Sequence, residues 1–368
     1  MTQTPGQWSA PGRVNLIGEH LDYNGGPVLP IAIDRQTTVR AALRDDDIVA
    51  LGSDAAPAGA EFPTSTNPGD VPGWASYVAG VVWALRAAGH HVPGLDLHIR
   101  SDVPLGAGLS SSAALECAVA VAIRDLADLE VDDLALALLA QRAENDYVGV
   151  PSGAMDQLAS MCGVAGHALL IDSDRPTVRA VAADWTRHDL ALVVVDTRVS
   201  HEHSGGGYAS RRAECERAAA LLGVDFLAQA DREAAESLAD PLLRRRARHV
   251  VSETARVHET VAAMAAGDWE AVGELFTESH ASLRDDFEVS CPELDVAVVS
   301  AVDAGALGAR MTGGGFGGSA IALVPAGLGD AVGAACAHAF SVRGYALPHG
   351  FTVSATDGAG LRSRRRRG

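Results

Sequence analysis

Pro104-Leu105-Gly106-Ala107-Gly108-Leu109-Ser110-Ser111-Ser112-Ala113-Ala114-Leu115 joins two runs of different period. Before it, Leu95 to Ile99 alternates as a strand does. After it, the alanine-rich run Leu109 to Asp125 carries Leu115, Val119 and Ala122 on one helical face. Strand, glycine-rich loop and helix follow in that order. Glycine removes the Cβ atoms that would obstruct a phosphate, and the helix that follows aims unsatisfied N–H groups and its positive dipole end at an anion. The serines add hydroxyl donors, and one can ligate Mg2+. Serine is also a favoured helix cap, so a capped helix after a plain loop accounts for one or two of these residues. Two glycines with three serines favour a site for the phosphates of a nucleotide, built from Pro104, Gly106, Gly108, Leu109, Ser110, Ser111 and Ser112.

The chain contains no lysine, so all 29 of its basic residues are arginine. A G-x-x-x-x-G-K-[ST] loop and the strand lysine of a protein kinase are thereby excluded, as is a lysine Schiff base. Phosphate charge must fall to a metal ion, arginine and backbone N–H groups. The formal net charge of -18 works against nucleic acid or an anionic membrane as partner. A length of 368 residues, 48% hydrophobic and 21% charged, suits two globular domains. Cys117, Cys162, Cys215, Cys291 and Cys336 lie far apart without a C-x-x-C pair and read as free thiols of a reducing compartment. Met1 to Ala10 has neither the basic nor the apolar part of a leader, and no apolar run reaches membrane-span length. The expectation is a cytoplasmic enzyme without nucleic-acid or membrane partners, as a monomer or weak homo-oligomer.

Outward from the loop, Trp8 to Asp34 reads as strand, polar loop and strand, with Asn24-Gly25-Gly26-Pro27 before Val28 to Ile33. Two more strands are expected around the acidic turn Asp45 to Asp47, a surface loop from Ala56 to Gly73, and a helix from Trp74 to Ala88. Leu134 to Tyr147 has helical spacing, as does the short Gly153 to Met161, while Ala168 to Asp172 and Leu190 to Asp196 read as strands. A domain boundary is expected between Pro176 and His188, dividing 1–182 from 183–368. The second half shows helices over Ser210 to Leu221, Asp240 to Ala266 and Ala271 to Leu283, then a glycine loop feeding a strand at Ser319 to Val324 and a helix from Gly329 to Phe340. Arg362 to Arg367 reads as a solvated, frayed end.

Arg13-Val14-Asn15-Leu16-Ile17-Gly18-Glu19-His20-Leu21-Asp22-Tyr23-Asn24-Gly25-Gly26 packs planar and charged donors and acceptors into one loop-like run. That density suits the hydroxyls of a polyol, and it equally suits a hydrophilic surface turn. Glu144 on a helix and Asp156 after the turn Pro151-Ser152-Gly153 are the carboxylates of interest. Phosphoryl transfer to an alcohol needs one for the metal and can use another near the attacking hydroxyl, although solvated helix residues look the same in sequence. Met311-Thr312-Gly313-Gly314-Gly315-Phe316-Gly317-Gly318 holds five glycines where a structural turn needs one or two, which points to backbone approaching a ligand closely. His201-Glu202-His203 reads as surface loop, because successive strand side chains point to opposite faces.

In this order the three segments resemble the three motifs of the GHMP kinase superfamily, and Pro11 to His20 followed by Asp22-Tyr23-Asn24-Gly25-Gly26 is similar to the signature of its galactokinase branch. The resemblance runs through Trp74 to Gly80, Gln141 to Gln157, Tyr208 to Glu216, Ser282 to Leu294 and Arg310 to Gly318, nearly the whole chain. It implies a two-domain fold, α/β plus α+β: an N-terminal domain of the ribosomal-protein S5 domain 2 type and a ferredoxin-like C-terminal domain, with the site in the cleft between them. It also implies ATP and Mg2+, and transfer of the γ-phosphoryl group to the C1 hydroxyl of α-D-galactose. By position, Asp156 matches the catalytic aspartate, and Arg13 the arginine that contacts it and the transferring phosphate. Glu19, His20, Asp22 and Tyr208 match sugar-hydroxyl ligands, and Gly153 and Gly314 match backbone contacts near the sugar. Ser112 and Glu144 match the Mg2+ ligands, and Trp74 is placed near the adenine. Leu21, Ser152 and Ser319 stand where the family commonly has threonine, cysteine and cysteine. A kinase of N-acetylgalactosamine, arabinose or glucuronate, and a non-catalytic sensor of galactose and ATP, are the alternatives. The intact Ser110 to Ala114 and Asp156 speak against the sensor.

Overall fold

Strands β1 (Gly6–Asn15), β2 (Pro27–Val28) and β3 (Pro30–Leu43) bracket the polar loop of the first motif in the computed structural model, which describes residues 5–199 and 205–364. His201-Glu202-His203 lies outside the described residues. β4 (Ile48–Ser53) and β5 (Ala56–Pro63) form a hairpin, so the expected surface loop begins instead with an edge strand. Its alanine, proline and glycine have low strand propensity. Pairing with β4 holds it, and an edge position tolerates its prolines. After α1 (Ala75–Ala87), β6 (Leu95–Ser101) buries Leu95, Leu97 and Ile99 and exposes Asp96, His98 and Arg100, the alternation of a one-sided sheet.

α2 (Ser111–Ala127) is buried on every side from Glu116 to Ile123, and its small side chains let it lie close against β1 and β3. A leucine at the fully buried Ala118 would overpack this seam, costing about 1–3 kcal/mol. α3 (Asp133–Arg142) starts where the Asp132 side chain accepts from Ala135 N, and it does not run on regularly to Tyr147 as its spacing suggests. From Ala143–Val148 the helix widens into a π turn, which re-aims the side chains it carries, Glu144 among them. α4 (Met155–Cys162) follows, then β7 (His167–Asp172) and β8 (Thr177–Ala182), the last a strand inside the stretch read as polar boundary.

The second half runs β9 (Leu190–Asp196), α5 (Gly205–Leu222), α6 (Arg232–Ser237), α7 (Pro241–Ala266), α8 (Trp269–Asp285), α9 (Pro292–Asp303), β10 (Gly308–Thr312), β11 (Ser319–Pro325), α10 (Gly329–Arg343), β12 (His349–Val353) and β13 (Gly360–Arg364). α6, α9, β10, β12 and β13 are additions to the sequence reading. β10-β11-β9-β12 is an antiparallel sheet in ferredoxin-like order, with the first and third strands at its centre. The first sheet has the order β13-β1-β3-β6-β4-β5, with β4 and β6 parallel, and β2-β7-β8 form a third. β13 thus returns from the end of the chain to pair with β1, and Arg362 Nε donates to Ser9 Oγ at 2.7 Å. Up to Arg364 the end expected to fray is a strand. Among the described residues no helix is long and apolar enough to cross a membrane.

Candidate active site

At the C-terminal end of β1, Arg13 lies buried beneath the glycine-serine loop. Its Nε donates to Asp156 Oδ1 at 2.7 Å and its Nη2 to Asp156 Oδ2 at 2.8 Å, a two-pronged pair. Nη1 donates to the Gly108 carbonyl at 2.6 Å, and Arg13 N to the Leu109 carbonyl at 3.1 Å, so one residue fixes both loop and carboxylate. Asp156 occupies the first turn of α4, where the helix dipole favours an anion. Ser110 also donates to Asp156 Oδ2. Its backbone is left-handed, with φ +58°, and its side chain does not cap α2, so simple capping does not explain this serine. The second glycine loop braces the first: Ser319 Oγ donates to the Ala107 carbonyl at 2.7 Å. A Cβ on Gly313 would stand 3.1 Å from the Gly108 carbonyl oxygen.

Beside the ion pair opens a cavity of about 300 Å³, walled by Arg13, Glu19, His20, Asp22, Glu144, Gly153, Asp156, Tyr208 and Gly314 among others. Burial, and then the charge of Asp156, raises the Asp22 carboxyl to about 6. Gly153 presses so close that a Cβ there would stand 1.9 Å from Asp22 Oδ2. Burial, and then His249, lowers His20 to about 3, so its imidazole is neutral. Burial holds the Tyr208 hydroxyl well above the usual range, so it remains a phenol. Glu19 is 1% exposed, and its oxygens already have protein partners. Oε1 accepts from Gly313 N at 2.9 Å and Thr312 Oγ1 at 3.2 Å, while Oε2 accepts from Asn15 Nδ2 at 2.8 Å and pairs with Arg310 Nη2 at 2.5 Å. With its acceptor sites so engaged, Glu19 acts first as a joint between the sugar-type loop and the glycine loop. Leu21, in the position commonly held by threonine, is fully buried in the core and absent from the cavity wall.

Glu144 projects from the π turn into the same cavity. Burial, and then the charge of Asp156, raises its carboxyl, while hydrogen bonds from Ser112, Gln157 and Ser152 pull the other way. Gln157 Nε2 donates to Glu144 Oε2 at 2.7 Å and to Glu116 Oε2 at 3.0 Å, linking two buried carboxylates. Asn145 pins the neighbouring turn, accepting from Ser152 N at 2.9 Å. A carboxylate crowded by like charge beside a serine hydroxyl is a hard-oxygen donor set of the kind Mg2+ takes. Among the described residues no group of three His, Cys, Asp or Glu is placed to hold a metal ion.

The sugar-type residues and both carboxylates therefore share one cavity. The loop Pro104 to Ser112 is not in its wall and is tied to it through two wall residues, Arg13, which donates to the Gly108 and Leu109 carbonyls, and Asp156, which accepts from Ser110. Leu105, at its tip, is 74% exposed. Trp74 heads α1, packs against the core and is not in the cavity wall. A larger groove on the first sheet, among Gln7, Arg40, Asp96 and His98, contains none of the motif residues. The sequence reading did not single out Gln157, Thr312 or Arg310, although each sits inside a motif. Their role depends on partners hundreds of positions away or on another element, such as the Arg310 bonds to the Asn15 and Leu16 carbonyls at 3.2 and 2.9 Å.

The family model for the galactokinase galactose-binding signature matches residues 2–43, that for the GHMP kinases N terminal domain matches 76–164, and that for GHMP kinases C terminal matches 260–342. A galactokinase of Streptomyces coelicolor is 52% identical over 362 residues, covering 96% of this chain and 93% of that protein. One of Mycobacterium bovis is 53% identical over 322 residues, covering 87% and 89%. The crystal structure of Lactococcus lactis galactokinase complexed with galactose matches with a TM-score of 0.91 at 37% identity, over 97% of this chain and 95% of that one. A mevalonate kinase of Methanococcus jannaschii, at a TM-score of 0.70 and 18% identity, shares the fold.

Proposed function

The chain belongs to the galactokinase family of the GHMP kinases, and from that premise we propose how its own residues carry ATP-dependent phosphorylation of galactose. The γ-phosphoryl group passes to the C1 hydroxyl of α-D-galactose, giving galactose 1-phosphate and ADP. Asp22, His20, Tyr208 and the backbone at Gly153 and Gly314 hold the sugar hydroxyls, with Glu19 locking the two loops that carry them. Asp156 accepts the hydrogen bond of the C1 hydroxyl on lone pairs that Arg13 and Ser110 leave free, and orients it for in-line attack. Arg13, already in contact with both the loop and Asp156, stabilises the charge that develops on the equatorial phosphate oxygens. Gly106, Gly108, Leu109, Ser110 and Ser111 receive the nucleotide phosphates on backbone N–H and hydroxyl groups. Ser112 and Glu144 would hold Mg2+, which when bound neutralises charge on the β- and γ-phosphates.

The carrying observation is the Arg13–Asp156 pair, placed where the sugar cavity meets the glycine-serine loop. Galactose, N-acetylgalactosamine, arabinose and glucuronate compared by coupled ADP release test the substrate, with Asp156→Ala as the control. Near wild-type turnover in that variant, or a faster reaction with another of these sugars, would sink the proposal. The five cysteines are unpaired thiols, which fits the cytoplasm as the place of reaction. We place the division into 1–182 and 183–368 after β8, with β13 exchanged back into the first sheet, and the chain as a monomer or weak homo-oligomer.

A further inference from the structure

A fully buried carboxyl outside the cavity wall, Glu116, stands on α2 one helical turn beyond Ser112 and on the same face. Its side-chain hydrogen-bond partner among the described residues is Gln157, also fully buried, which follows Asp156 on α4. The amide nitrogen of Gln157 gives its hydrogens to carboxyl oxygens on both sides, Glu116 Oε2 at 3.0 Å and Glu144 Oε2 at 2.7 Å. Turned over, the amide would set its carbonyl oxygen against those of Glu144, so its donor end is the one that faces this residue. Burial, and then the charge of Glu144, raises the Glu116 carboxyl well above the usual range. The contact holds with or without a proton on Glu116, because a neutral acid still has a carbonyl oxygen that accepts. Ser152 Oγ donates to the same Glu144 Oε2 at 3.1 Å. Gln157 and Ser152 thus engage one oxygen of Glu144 and leave Oε1 with the greater open acceptor capacity.

We propose that Gln157, anchored by Glu116, is a positioning residue of the metal site, which holds Glu144 in the frame of the helix that carries Ser112. The two residues read as Mg2+ ligands sit on different elements, Ser112 on α2 and Glu144 on the π turn that follows α3. Backbone geometry within either element does not set the distance between them. Gln157 makes that link: it reaches from α4 to both carboxyls, and Glu116 is rigidly one turn from Ser112. α4 therefore carries two functions at consecutive positions, Asp156 toward the sugar cavity and Gln157 toward the carboxylate of the metal. Without the Gln157 donor the Glu144 carboxyl keeps only hydroxyl partners and is freer to turn, at a cost to metal binding rather than to the sugar.

The proposal rests on the reading of Glu144 as a metal ligand, and binding measurements separate the two. Isothermal titration with AMP-PNP, an ATP analogue that is not hydrolysed, gives dissociation constants with Mg2+ and with EDTA, and the gain in affinity between them measures what the metal adds. Gln157→Leu should lower that gain about tenfold, while the EDTA constant and galactose affinity stay within about twofold. A general loss of structure would move all of them and refute the assignment. Should Gln157→Leu fail to fold, Glu116→Leu combined with Gln157→Leu removes both polar partners together, an exchange that costs little stability, and the same fall is expected. Glu116→Leu alone should lower the gain too, whereas Glu116→Gln, which keeps an acceptor oxygen, should stay within about twofold of wild type. In a Glu144→Gln background Gln157→Leu should add nothing, because it acts through that carboxyl. If Glu144→Gln itself leaves the gain unchanged, the reading of Glu144 as a metal ligand fails. If Glu144→Gln lowers it and the Gln157 variants do not, that reading stands and the role given to Gln157 is refuted.

Discussion

Replacing Arg13 by alanine removes three hydrogen bonds, two to Asp156 at 2.7 and 2.8 Å and one to the Gly108 carbonyl at 2.6 Å. A positioned donor aimed at transition-state charge is worth about 10²–10³ in kcat, and Arg13 also orients the carboxylate that holds the nucleophile. We therefore expect kcat to fall about 10³-fold, a loss of ~4 kcal/mol of transition-state stabilisation, with KM for galactose within about threefold. Breaking a fully buried ion pair costs about 3–5 kcal/mol. Here the Asp156 side chain keeps 26% exposure and its Ser110 donor, so the stability loss should be smaller, about 1–2 kcal/mol, or ~1–3 °C in Tm for a chain of this length. Arg13→Lys keeps the charge but cannot reach both carboxylate oxygens and the loop carbonyl, and should lose roughly 10–100-fold in kcat. Coupled ADP release gives the rates, and a thermal melt shows that both variants fold. A folded Arg13→Ala enzyme with kcat within threefold of wild type, or with its loss confined to KM, refutes the argument that this guanidinium stabilises the transferring phosphate.

Asp22 makes the acid side of the pH profile: its carboxyl lies at about 6, so KM for galactose should rise as pH falls below that value, and Asp22→Asn should flatten this limb. The sign for stability is opposite. A folded pKa above the ordinary 3.8 means that the folded chain binds more protons between roughly pH 4 and 6, so this group's contribution is full below that window and lost as pH rises through it. Gly153→Ala forces a Cβ to within 1.9 Å of Asp22 Oδ2 in the unrelaxed site, and KM for galactose should increase at least about tenfold, as measured by initial rates. Glu144→Gln should raise the Mg2+ concentration for half-maximal rate about 10–100-fold at fixed ATP; an unchanged Mg2+ titration would remove Glu144 from the metal site. Arg310→Met strands Glu19 in the interior, while Glu253 keeps Arg256 at 2.8 Å, and should lower stability by about 3–5 kcal/mol in denaturant unfolding, with an unchanged midpoint as the contrary result.

What the chain alone determined was local. Strand alternation at Leu95 to Ile99, the glycine-serine run, the glycine excess at Gly313 to Gly318 and the missing lysine are each contained in a dozen neighbouring residues or in composition. Motif resemblance carried those fragments to a family and to most of the cavity's residues. β5 and β13 stayed hidden because their residues are mostly poor strand formers, and only a partner strand supplies the backbone bonds that make them strands. β8 carries the strand formers Thr177, Val178 and Val181, but its arginine and the charged residues on either side mask it. The π turn escaped for a related reason: its residues have helical spacing, and the inserted step is visible only in the backbone. Function depended most on what tertiary structure decided. Arg13 and Asp156 are 143 residues apart, and Glu19 and Arg310 lie in motifs at opposite ends of the chain. A carboxylate read alone is more often a solvated helix residue. Burial beside a particular guanidinium separates that case from a catalytic one, and burial is a property of the packed chain rather than of any window within it.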